Sequence, residues 1–238
     1  MKKIIDKLGS SAAIWGVFII AAALLITGTI GGARAAGLTG LTNAYKAQLD
    51  VTDSVRMTIV ENGTAVAEGK DTMLLKITGD GEETKTGQAY PEELTITNSG
   101  AIDAYMRVIV YRYWTDADGN KLTEFDPSLI ELKLVETGEW TKDEKSSTAE
   151  RTILYHKGIL ASGASTAPFA TTIGVSADAD NIVTQTKDPA TGYIKTVYKY
   201  DGAYFCIEIV VDAVQTHNAA AAIKSSWGVD AGDFEILG

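Results

Sequence analysis

The sequence predicts an all-β protein, specifically an antiparallel jelly-roll-like β-sandwich with one short C-terminal helix, preceded by an N-terminal signal or transmembrane helix. Three observations support this fold class. Many short segments alternate apolar and polar residues, and turn residues separate them at fairly even spacing. Helix-period patterning in the body of the chain is confined to a short stretch near the C-terminus. No strand–helix–strand alternation of the kind that builds parallel sheets is visible.

Length and charge define the organisation of the chain and exclude one class of partner. The 238 residues suffice for a secretion signal and one domain of about 200 residues. Residues 1–35 contain four basic residues and one acidic residue, which leaves 17 basic and 30 acidic residues in the remainder. Such an acidic body is a poor candidate for binding nucleic acid or anionic lipid. We expect residues 1–35 to be the signal, 36–53 an N-terminal segment and 54–238 the sandwich.

The N-terminus has the features of a targeting element. A basic start precedes 12–30, a run without charged residues that is long for a signal peptide and just long enough to span a bilayer. Two glycines and a small-x-small site at Ala33 and Ala35 follow, which predicts cleavage before Ala36. The alternative is that the helix is retained as a membrane anchor. Cleavage would release a secreted protein into the extracellular matrix or to the cell surface, from a precursor that touches the membrane only through this helix.

The first strands after this region are indicated by alternation and by turn residues. Segment 55–69 contains Asn62-Gly63 between two alternating stretches, which predicts a hairpin because Asn-Gly tolerates positive φ. Residues 73–78 predict a strand, and 79–92 predicts an acidic exposed loop with Pro91 just before the next strand.

Residues 93–114 predict two strands divided at Asn98-Ser99-Gly100. The second strand places Met106, Val108 and Val110 on one face and further apolar residues on the other, so it should be central in its sheet. Its Arg107 should reach the rim or pair with a carboxylate.

The remaining elements are predicted in the same way. Segment 126–134 can be a short helix or a strand, and we favour a helical turn leading into a strand. The last two strands should form a hairpin across Asp201-Gly202. Asn218 should cap a helix at 219–227 that Gly228 terminates. Further strands are expected within 152–156, 159–175, 181–186 and 192–200.

The residues that carry most enzymatic chemistry are sparse. His156 and His217 lie far apart in sequence and have no metal-ligand spacing. The single cysteine, Cys206, lies in an apolar run and is expected to be a small core residue. The aspartate-rich run 116–120 fails the spacing of a calcium loop and is better explained as a β-turn. We therefore predict no catalytic residue, no metal site and no cofactor.

Several segments together resemble a known group of proteins. GGARAA after the long apolar run, VRMTIVENG, YPEELTITNSGAIDAYMRVIVYRYW and DAVQTHNAAAAIKSSWG are similar to SipW-dependent secreted proteins of Gram-positive bacteria, the TasA, camelysin and BsaA group of biofilm-matrix proteins. The resemblance implies a jelly-roll sandwich that a dedicated signal peptidase releases and that assembles outside the cell into a fibre or pilus. It implies the protein itself as the main partner, with an accessory fibre subunit as a further candidate, and the N-terminal segment of one subunit adding as a strand to the next.

The N-terminal segment has one stretch suited to such a strand. Tyr45, Ala47, Leu49 and Val51 alternate strictly, as a half-buried strand should, and are the candidate donor anchors. The alternative is that they form the first strand of the chain's own sandwich. Some pilins cross-link their subunits through isopeptide bonds, and Lys46 is the candidate lysine for such a bond.

Two other functions remain open from the sequence. Camelysin-type relatives have been described as metallopeptidases, which would make the protein a secreted or membrane-tethered enzyme, although no zinc-ligand cluster is recognisable. A monomeric surface adhesin is the other alternative. The structural fibre subunit is the preferred interpretation.

Overall fold

The computed structural model describes residues 41–47, 55–66, 71–72 and 85–238 of the chain. The described part is mostly β-structure arranged in two larger sheets, a separate two-stranded sheet and one α-helix. The predicted signal, the predicted strand at 73–78 and the predicted boundary between 53 and 54 lie outside the described residues.

The larger sheet has six strands. Across the sheet these are β4 (Asp71–Thr72), β1 (Leu41–Ala47), β13 (Tyr204–Gln215), β6 (Ala104–Thr115), β9 (Arg151–His156) and β8 (Trp140–Lys142). The central position predicted for β6 is confirmed, since it pairs with both β13 and β9. Arg107 forms a salt bridge with Asp212 on the adjacent strand, with 2.8 Å between a guanidinium nitrogen and a carboxylate oxygen. Pairing with a carboxylate was one of the two outcomes predicted for Arg107.

The second sheet has five strands. In order these are β3 (Thr64–Ala65), β2 (Met57–Glu61), β5 (Ala89–Asn98), β10 (Ala170–Val175) and β7 (Ile130–Leu134). The predicted hairpin between β2 and β3 is confirmed: Asn62 and Gly63 both have positive φ, +47° and +79°. A 3-10 turn at Pro127–Leu129 leads into β7, as predicted.

A single hydrophobic core lies between these two sheets. It receives alternate residues of both, for example Ile96 of β5 and Val108 and Ile209 of the six-stranded sheet, all with no exposed surface. Buried residues alternate with more exposed ones along β2, β5 and β7, which is the pattern of a sandwich sheet with one buried face. The fold is therefore an antiparallel sandwich, apart from one parallel strand pair described below.

The outer face of the six-stranded sheet is partly covered by the predicted helix, α1 (Ala219–Trp227). Ile223 is completely buried there and packs in a second apolar cluster with Tyr155 and Trp227. Gly228 ends the helix with φ +76°, as predicted. Asn218 occupies the cap position, but its side chain makes no capping hydrogen bond because its backbone is left-handed, a conformation that Asn tolerates.

Two predictions about strand boundaries and strand pairing are also wrong. Pro91 lies inside β5 rather than before it, because β5 begins at Ala89. Since β5 extends past the end of β2, no described strand pairs with its first half on that side, where a proline without an N–H is tolerated. The loop predicted around Pro91 is therefore shorter, and Glu92 is in the strand.

The second wrong prediction is the hairpin across Asp201-Gly202. The strand β12 (Ile194–Tyr198) pairs with β11 (Val183–Lys187) and not with β13. Both edges of β13 are already occupied by β6 and β1, so β12 has no free partner there. The two strands form a separate hairpin, which we call the β11–β12 hairpin.

Within the part of the chain that the structure describes, no helix is long and apolar enough to span a membrane.

Candidate assembly interface

Strand β1 is the element of the N-terminal segment that the structure describes. It runs parallel to β13 over seven register positions, from Leu41 opposite Phe205 to Ala47 opposite Val211. On its other side it meets β4 at only two positions. This is the one parallel pair among the described strands, and most of the described strand pairing of β1 is with β13.

The sequence of β13 explains why a strand is needed at this edge. Phe205, Ile207, Ile209 and Val211 face the core, and each is at most 5% exposed. With β6 on one side, the other edge of β13 would present unpaired N–H and C=O groups next to this apolar core. Buried backbone groups without partners are costly, so the position beside β13 favours occupation by a strand.

The register places three of the candidate residues. Tyr45 lies opposite Ile209 and Ala47 opposite Val211, two positions whose β13 side chains face the core. Lys46 lies opposite Val210, on the alternate register position.

The strand begins at Leu41, four residues before the predicted alternation, and ends at Ala47. The other candidate residues lie outside the described residues: the anchors Leu49 and Val51, and the cleavage-site residues Ala33, Ala35 and Ala36.

A pair of buried glutamates is a feature that the sequence analysis missed. Glu61 ends β2 and Glu92 lies near the start of β5, and neither has exposed surface. Their side chains share a hydrogen bond, and the Asn62 side-chain amide donates to Oε2 of Glu92 at 3.1 Å. Oε1 of Glu92 accepts no hydrogen bond from any described residue.

Burial is the main reason that the pKa of Glu92 is raised to about 8, and the neighbouring charge of Glu61 adds to it. Glu92 therefore stays protonated at neutral pH, and its carboxyl O–H can donate a hydrogen bond to Glu61. The only sequence signal for this pair was that both glutamates fall on the inward positions of alternating strands.

His156 and Cys206 both have the buried surroundings of structural residues. His156 is buried edge-on against Trp140, with ring centroids 5.3 Å apart, and its Nε2 lies 3.6 Å from a carboxylate oxygen of Glu139. Cys206 is buried with its Sγ 3.7 Å from the Thr115 hydroxyl, and burial raises the pKa of its thiol. A raised pKa and lack of access both lower thiol reactivity.

The aspartate-rich run forms a turn, as predicted. Oδ1 of Asp116 accepts hydrogen bonds from the backbone N–H groups of Asp118 and Asn120, at 2.9 and 2.8 Å. Gly119 has φ +81°, which a turn here requires. No group of three or more His, Cys, Asp or Glu side chains placed to hold a metal ion occurs among the described residues.

Comparison with family models, with curated proteins and with solved structures found no match to this chain. The structure by itself defines the class of protein as a two-sheet β-sandwich whose N-terminal strand completes the sheet beside its last strand.

Proposed function

We propose that the protein is a secreted, non-enzymatic structural subunit of an extracellular biofilm-matrix fibre or pilus, similar to the TasA, camelysin and BsaA group. The sandwich would be of jelly-roll type. A signal peptidase would release the subunit at the cell surface. Copies would then join head to tail, each through a strand donated by its neighbour.

The observation that supports this proposal is the position of β1. It completes the six-stranded sheet by pairing with β13 over seven positions, and among the described residues it pairs on its far side at only two positions of β4. The same segment of another copy could occupy the same position, since the register and the partner strand would be identical. Exchange of an identical element between copies is a low-cost route to assembly, and contacts that do not close into a ring give open filaments.

Removal of the segment tests the proposal. We would compare the chain 36–238 with a chain starting at Asp53 by negative-stain electron microscopy after incubation at the same concentrations. Filaments are expected only from the longer chain. Filaments from both chains would refute strand donation.

A peptide provides the matched control. A synthetic peptide of residues 36–52 should bind the chain that starts at Asp53, because the edge of β13 is then open. The same peptide with proline in place of Tyr45 should bind much more weakly, because proline removes a backbone donor and does not fit a central strand. Equal binding of both peptides would exclude recognition through β-pairing.

A further inference from the structure

The β11–β12 hairpin concentrates the exposed apolar surface of the described part of the chain. The described part of the chain has eight large hydrophobic residues that are at least 38% exposed, and six of them lie between residues 182 and 198. Tyr193 and Ile194 are 78% and 62% exposed, and every residue of both strands is solvent-exposed. Exposed apolar residues that cluster in this way, unlike scattered ones, mark an interaction surface.

The base of this hairpin is held firmly while its strands project. The Lys199 side chain donates to the backbone carbonyl of Glu124 at 2.8 Å, and the Tyr200 hydroxyl accepts from the backbone N–H of Asp126 at 2.9 Å. The ring of Tyr200 packs against Trp114, with centroids 4.8 Å apart. An arm fixed at its base loses little freedom when its strands bind a partner.

The charge of the hairpin is opposite to that of the rest of the chain. Residues 182–198 contain two lysines and one aspartate, a net charge of +1, whereas residues 36–238 as a whole contain 17 basic and 30 acidic residues. A second copy of this chain therefore presents an acidic surface to a basic, apolar arm. Complementary charge steers such encounters and fixes orientation.

A matching receptor surface lies on the outer face of the six-stranded sheet. The part of β6 and β13 not covered by α1 forms an open groove of about 590 Å³. Its apolar lining includes Ile109, Tyr111 and Val210. Its charged lining consists of Glu208, Asp212 and the ion pair of Lys121 with Glu150, so acidic residues exceed basic ones. Asp212 is paired with Arg107, whereas Glu208 makes no ion pair with a described side chain.

We infer that the β11–β12 hairpin of one subunit docks into this groove on a second copy of the chain. Ile194 and Tyr198 lie on one face of the hairpin and would contact the apolar lining. Lys187, which is paired with Ile194 across the hairpin and lies on the same face, would lie close to Glu208. The two surfaces differ, so the contact is head-to-tail and repeats along a filament. This contact would be a second one between subunits of the proposed fibre. Only the identity of the partner, a second copy of the chain, rests on the proposed function.

Sedimentation velocity over a range of concentrations tests the contact, with the chain 36–238. Ile194→Ser should weaken self-association about tenfold, which corresponds to about 1.4 kcal/mol. Ile159→Ser is the matched control, because Ile159 is similarly exposed, at 50%, but lies outside the hairpin. It should leave association unchanged.

Charge reversal gives a stricter test. Lys187→Glu and Glu208→Lys should each weaken self-association, and an equimolar mixture of the two variants should restore it, because the reversed arm then meets a reversed groove. Lys133→Glu, on the exposed face of β7, is the control for net charge. Near-ultraviolet circular dichroism verifies that each variant is folded. Absence of rescue in the mixture would overturn the contact.

The outcomes separate this inference from strand donation. Filaments and association that are unchanged in the hairpin variants would overturn the hairpin contact while strand donation stands. Concentration-dependent association that survives removal of residues 36–52 but is lost with Ile194→Ser would support the contact even if filaments never form. A chain that stays monomeric at every concentration would overturn it.

Discussion

Replacement of Glu92 by glutamine should remove a pH dependence of stability that the buried glutamate pair imposes. In the folded chain the pKa of Glu92 is about 8, against a reference value of 4.5 for an exposed glutamate. Between these two pH values the folded state holds a proton that the unfolded state has released. The unfolded state therefore binds fewer protons, and the free energy of unfolding falls as pH rises through this window.

The size of the effect follows from the same two pKa values. At about 1.4 kcal/mol for each pKa unit, the difference between 4.5 and 8 gives a loss of about 5 kcal/mol across the window. About 3 kcal/mol of it is already lost at pH 7. Glutamine has the shape of the protonated side chain and remains neutral, so Glu92→Gln should be more stable than the wild type by about 3 kcal/mol at pH 7 and nearly equal to it at pH 4.

Urea unfolding followed by tryptophan fluorescence at pH values from 4 to 9 measures this difference. The control is Glu93→Gln, the adjacent glutamate, whose side chain is on the exposed face of β5. It should follow the wild-type pH profile. The reasoning is wrong if wild type and Glu92→Gln show parallel profiles, or if the variant is less stable at pH 7 with an unchanged denaturant dependence.

Three further predictions concern packing and reactivity. Gly174→Ala should destabilise the protein by about 2 kcal/mol or more, because the Cβ of the alanine would lie 2.5 Å from the backbone carbonyl oxygen of Gln88. Thermal unfolding measures this loss, and an unchanged melting temperature would contradict the close approach. Ile223→Ala should cost about 2–4 kcal/mol by opening a cavity beneath α1, again measured by urea unfolding, and a loss below 1 kcal/mol would mean that the helix contributes little to stability. Cys206 should react with a thiol reagent only as fast as the chain unfolds, because the thiol is buried and its pKa is raised; labelling at the rate of an exposed cysteine would show that the thiol is accessible.

The local elements were predictable because each depends on residues close together in the chain. The hairpin turn at Asn62-Gly63 needs only two residues that accept positive φ, and the face of β6 that carries Val108 follows from alternation. The helix at Ala219–Trp227 follows from its apolar spacing and from Gly228. No distant residue is required for any of these features.

The errors arose where a distant residue decides the outcome. Pro91 predicts a strand boundary when only its neighbours are considered, but β5 continues through it, because no strand of the described part of the chain pairs with that edge beyond the end of β2. The hairpin predicted across Asp201-Gly202 was the simplest pairing of two consecutive strands. It does not form because β6 and β1, more than 80 residues away in the chain, already occupy both edges of β13.

The candidate functional features can also be divided into those that the local sequence predicts and those that only the assembled fold brings together. The sequence by itself determined that the chain is a β-sandwich with one late helix, and that a strand-forming stretch follows the predicted signal, because alternation and turn residues are local properties. Only the tertiary structure determined that Leu41–Ala47 runs parallel to β13, that Glu61 and Glu92 are buried side by side, and that β11 and β12 stand apart from the sandwich. These features depend on which strand edges remain open once the two sheets have packed, and an open edge is a property of the assembled sheets rather than of any single segment.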